Sequence, residues 1–87
     1  MTLRELQSSL GTILEAELAE RVDWPKVQSL CRQTRHRLQQ EPLPDYIDDF
    51  VHVFLDDARL RQEDENYAQI QRERLNNWLE GSAIISR

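Results

Sequence analysis

Apolar residues recur along this chain at spacings of three and four, the period of a helix that buries one face. Leu3, Leu6, Leu10, Ile13, Leu14 and Leu18 form the first stripe. Thr2 stands just before it and Glu5 follows three residues on, the pattern of a capping box. The stripe predicts a helix over about residues 3–21. Gly11 lies inside it but off the stripe, at a cost of about 1 kcal/mol relative to alanine. A second stripe is Trp24, Val27, Leu30, Cys31, Thr34 and Leu38, and it predicts a helix over 24–40. Asp23 is placed to cap that helix. Pro25 falls in its first turn, where a missing N–H costs little, and Val22 and Val27 occupy the two positions of a hydrophobic staple.

Pro42 and Pro44 end the second helix, because each drives its predecessor to extended geometry. A third helix follows, over about 45–60. Its apolar residues (Tyr46, Ile47, Phe50, Val51, Phe54, Leu55, Ala58) span an arc of roughly 200°, wider than one neighbour in a small bundle covers. Back to back with that arc stand Asp45, Asp48, Asp49 and Asp56, with His52 among them. Residues 61–66 are all polar, and the next apolar set is Tyr67, Ala68, Ile70, Leu75, Trp78 and Leu79. In one straight helix the two sets would point roughly 110° apart, so a break within 60–65 is expected. A fourth helix then covers 65–80, Gly81 is its expected C-cap, and 82–87 is a short tail. No segment alternates with period two. The expected fold is all-α: a small antiparallel bundle of about four helices in one domain over 1–81, with Leu10, Ile13, Leu30, Phe50 and Phe54 in its core.

Composition agrees with a globular chain. Of 87 residues, 39% are hydrophobic and 31% charged, with two glycines and three prolines. A chain this short folds marginally, so a partner or a second copy bears on its stability. Sixteen acidic residues against eleven basic ones leave a formal charge of −5. That balance opposes routine binding of phosphate backbones and favours a basic protein partner. The single Cys31 cannot form an internal disulfide, and no apolar run is long enough to span a membrane. A cytoplasmic protein without a membrane association is expected.

Several residue sets are candidates for chemistry. Asp48, His52 and Asp56, at i, i+4 and i+8, offer two carboxylates and an imidazole on one helix face, donors that suit a divalent metal. The alternative is a solvated acidic face. Arg32, Arg35 and His36 share one flank of the second helix, with Arg37 pointing elsewhere. They are the one basic concentration, and without an accompanying aromatic they make a thin nucleic-acid footprint. Asp57 and Arg74 each interrupt the apolar arc of their helix, which suggests that they pair. Cys31 reads as a small buried hydrophobe with no base beside it. No catalytic constellation or phosphate-cradling glycine loop is present, and no cofactor is implied. The functional expectation is a non-enzymatic interaction module: an adaptor, inhibitor or regulatory subunit. It would bind a basic surface through Asp45, Asp48, Asp49, His52 and Asp56. The alternatives are a nucleic-acid-binding regulator using the Arg32/Arg35/His36 flank, or the metal site.

Overall fold

A computed structural model describes residues 2–43 and 49–85, with side chains described through 81. The described residues form five helices and no strand: α1 (Leu3–Leu18), α2 (Trp24–Gln40), α3 (Asp49–Asp56), α4 (Ala58–Glu63) and α5 (Glu65–Ile85). The all-helical bundle is as the periodicity predicts. Asp45 and Asp48, and with them the start of the third helix, lie outside the described residues.

The N-terminal caps follow the sequence. The Glu5 amide donates to Thr2 Oγ1 at 3.1 Å, and the Thr2 hydroxyl donates to Glu5 Oε1 at 3.2 Å. The Lys26 amide donates to Asp23 Oδ1 at 3.2 Å, and Pro25 sits in the first turn of α2. These bonds satisfy donors that the first turn of a helix leaves free.

The helix ends depart from expectation in three places. α1 stops at Leu18 rather than Arg21, because Ala19 turns to extended backbone (φ −63°, ψ 150°). The segment after Asp49 is broken twice, at Asp57 and at Asp64, rather than once. Asp57 leaves helical geometry mildly (φ −100°, ψ 17°), and Asp64 adopts extended backbone (φ −132°, ψ 103°). Asp64 then caps α5, with its Oδ1 accepting from the Tyr67 amide at 3.1 Å. Finally, α5 runs through Gly81 to Ile85, so Gly81 is a helical residue and not a C-cap.

The buried residues form one core cluster. Leu6, Leu10 and Ile13 of α1 meet Val27 and Cys31 of α2, Val51 and Phe54 of α3, and Leu75 of α5. Leu30 packs on this cluster half-buried. α2 lies at the centre, touching α1, α3 and α4, and α5 closes the bundle against α1, α3 and α4. Ile70, a member of the apolar set of the fourth helix, is 58% exposed. The buried face of α5 is Ala68, Gln71 and Leu75, so a glutamine holds the register that points inward and Ile70 is turned out.

A β-carbon at Gly11 would meet no atom within 4 Å, and the residue lies inside α1. Gly11→Ala is therefore expected to stabilise the protein by about 0.5–1 kcal/mol, through lost freedom of the unfolded chain. Urea denaturation of the two proteins checks this; a lower midpoint for the alanine variant would contradict it.

Candidate functional site

The acidic face is present in its described part. Asp49, His52 and Asp56 of α3 are all exposed, and Val53 shares their stripe at 43% exposure. Asp56 is not free: it pairs with Arg35 of α2. On the next strip of α2, Arg37 pairs with Glu5 of α1 and lies 3.5 Å from Glu41. The Arg37 hydrogen bond holds the Glu5 carboxyl below its ordinary range. Two of the basic residues of α2 thus tie it to its neighbours, while Arg32 and His36 are exposed. Among the described residues no three His, Cys, Asp or Glu side chains gather as metal ligands do, and Asp48 falls outside them.

Asp57 and Arg74 do not pair. The Asp57 carboxylate accepts from the Tyr67 hydroxyl at 2.6 Å and from Gln71 Nε2 at 3.3 Å. Arg74 instead sets its guanidinium 4.5 Å from the centre of the Phe50 ring, at the edge of the core. A cation over a ring face at the surface is a modest attraction that lets the charge stay wet. The carboxylate acceptor pushes the Tyr67 phenol up from its ordinary range.

The buried charges are a different pair, Glu17 and Arg61, at 1% and 0% exposure. Arg61 Nε lies 2.9 Å and 3.1 Å from the two Glu17 oxygens, and its Nη2 lies 2.9 Å from Oε2. Its Nη1 donates to the Phe54 carbonyl and, at 2.9 Å, to Gln71 Oε1. Nη2 also reaches Cys31 Sγ at 3.7 Å, and the guanidinium stacks 3.8 Å over the Phe54 ring. Each of the three guanidinium nitrogens therefore donates to acceptors, which is what a buried arginine requires. The network continues outward. Gln71 spends its carbonyl on Arg61 and its amide on Asp57 and, at 2.9 Å, on the Tyr67 oxygen. Among the described residues no buried side-chain nitrogen or oxygen lacks a partner. A second arginine, Arg72, donates to the Glu17 main-chain carbonyl at 3.0 Å and to Glu65 at 2.9 Å. It places a cation at the negative end of the α1 dipole.

The sequence carried a signal for this pair that hydropathy masks. Leu6, Leu10, Ile13 and Glu17 are spaced four, three and four, so Glu17 continues the centre of the α1 stripe. Leu18, assigned to that stripe, is 64% exposed. Phe50, Phe54, Ala58 and Arg61 continue a core register in the same way. Cys31 is buried, as its position on α2 predicts, and burial pushes its thiol up.

Comparison with known proteins finds no match: no family model, no curated protein and no solved structure is significantly similar to the chain.

With no exposure, the Glu17–Arg61 pair cannot meet a substrate, and its part is structural. Arg61→Met, which leaves a carboxylate buried and unpaired, is expected to destabilise by about 3–5 kcal/mol. The double variant Glu17→Leu/Arg61→Met is expected to cost less than the sum of the two single changes, read by urea denaturation. Strict additivity would mean that the two charges act independently. Cys31 is expected to resist iodoacetamide in the folded protein and to react once urea unfolds it. Its proton is held more tightly in the fold than in the unfolded chain. Its contribution to stability is therefore intact at neutral pH and falls as pH rises through the ordinary thiol range. Equal alkylation rates in the folded and unfolded states would show the thiol to be open.

Proposed function

We propose that this protein is a small helical interaction module, not an enzyme, that binds a basic surface of another protein as an adaptor, inhibitor or regulatory subunit. The observation that supports this reading best is the exposed side of α3 and α4. Asp49, His52, Val53 and Asp56 lie there at helical spacing, followed by Leu60 and Glu63. Val53 and Leu60 are 43% and 50% exposed. Apolar side chains set among carboxylates suit an interface with a small apolar centre and a charged rim. Asp45 and Asp48 belong to the same proposed contact set by sequence.

The Arg35–Asp56 pair does not remove Asp56 from this role. Both side chains are about half exposed, and pairs of that kind contribute about 0–1 kcal/mol, so a basic partner can compete for the carboxylate. The same pair weakens the nucleic-acid alternative, since Arg35 is already facing an aspartate and the chain carries a formal charge of −5. A cytoplasmic setting suits the lone free cysteine. No helix among the described residues is long and apolar enough to cross a membrane.

The test is association kinetics with a partner captured from native extract. Binding should slow as salt rises, and Asp49→Asn/Asp56→Asn should slow it several-fold with little change in the dissociation rate or in helicity. An association rate indifferent to both salt and these substitutions would remove the acidic face from consideration.

A further inference from the structure

A depression of about 400 Å³ lies where α4 meets α5, lined by Leu60, Glu63, Asp64 and Tyr67. It is larger than the depressions beside Thr34 and beside Arg32, which are about 190 Å³ and 160 Å³. Its apolar part is Leu60, half exposed, and the ring of Tyr67. Ile70, three residues on along α5 and 58% exposed, extends the apolar surface past Tyr67.

The walls are held in place. Asp64 is fixed as the cap of α5. The Tyr67 hydroxyl is held by Asp57 and Gln71, and Gln71 is held in turn by the buried Arg61. The tyrosine ring therefore cannot fold over to fill the space without giving up these hydrogen bonds. A recess whose walls are already ordered costs a ligand little to enter.

The two charged side chains that line the recess, Glu63 and Asp64, are both carboxylates. The Asp64 carboxylate accepts a backbone N–H, and the Asp57 carboxylate accepts from a phenol and an amide; neither has an ion-pair partner among the described residues. Glu63 pairs with Arg59, 3.4 Å away in an exposed pair of one helix turn. A ligand that brings an apolar group to Leu60 and Tyr67 meets carboxylates on its way in, and cationic side chains beside the anchor complement them.

We infer that this depression is the anchor site of the interface proposed above, and that it takes a bulky apolar side chain borne on a lysine- or arginine-rich segment of another protein. The inference rests on the interaction-module reading and adds to it a specific recess and a specific partner chemistry.

The experiment uses the ¹⁵N-labelled full chain and two synthetic amphipathic peptides with the same leucine pattern. One carries lysine at every polar position, the other glutamate. The lysine peptide should shift the amide signals of Leu60, Glu63, Asp64, Tyr67 and Ile70, and the glutamate peptide should not. Leu60→Ser should weaken the lysine peptide about tenfold, the loss typical of truncating an interface anchor, with circular dichroism unchanged. Shifts centred on Asp49, His52 and Asp56, with no effect of Leu60→Ser, would overturn the anchor site and leave the acidic α3 face standing. Binding of neither peptide would overturn both. Equal binding of the two peptides would overturn the charge argument. A self-associated state in sedimentation that Leu60→Ser abolishes would assign the recess to a second copy of the chain and overturn the partner named here.

Discussion

Arg61 carries a permanent positive charge to a point with no exposed surface, and the rest of the bundle is arranged around keeping it satisfied. The residue belongs to α4. Its partners are Glu17 on α1, the Cys31 sulfur on α2, the Phe54 carbonyl at the end of α3 and Gln71 on α5. One side chain therefore touches every other helix. No Cα of α1 approaches one of α4 within 8 Å among the described residues, and the Glu17–Arg61 pair reaches across that gap. A buried ion pair adds little net stability over an apolar pair of the same shape, because desolvation offsets the attraction. Its effect is on the alternatives: a bundle with α1 slipped by one turn would leave a charge buried without its partner, and one with α5 slipped would take the Gln71 acceptor from Arg61.

The same network reaches the first break, between α3 and α4. At the end of α3 the Phe54 carbonyl accepts from the Arg61 guanidinium and, weakly at 3.4 Å, from the Asp57 amide. Asp57, at the break, stands in the N-cap position of α4 but makes no side-chain capping bond there. Its carboxylate is drawn to Tyr67 and Gln71 instead. The interior charge is thus relayed by hydrogen bonds to the surface. There it holds the Tyr67 hydroxyl.

Charge on the outside is distributed on a different principle. Arg35–Asp56 and Arg37–Glu5 lie at the seams of α2 with α3 and α1, where solvent screens them and their energetic weight is small. They orient neighbouring helices without removing their charges from use. The acidic surplus of the chain remains on the surface of α3, α4 and the start of α5, together with the exposed Val53 and Leu60. A partner recognised there would contribute both a basic character and an apolar contact.

The helical class, the caps at Thr2 and Asp23, and the burial of Leu10, Ile13, Phe50 and Phe54 were legible in the sequence, because each depends on residues within about one or two helical turns of one another. So was a break between residues 60 and 65, from the changed direction of the apolar stripe. What hydropathy could not reveal was that Glu17, Arg61 and Gln71 occupy core positions. Each stands in register with an apolar stripe, yet a charged or amide side chain in that register is read as solvated unless its partner is known. For Glu17 the partner lies 44 residues away. The logic that suggested pairing Asp57 with Arg74 applied with more force to Glu17 and Arg61, and only the register distinguishes the two cases. The local sequence determined which segments became helices and which faces could be buried. The tertiary structure decided which polar residues went inside, because burying a charge is tolerable only where several distant donors and acceptors converge, and that convergence is a property of the packed helices together.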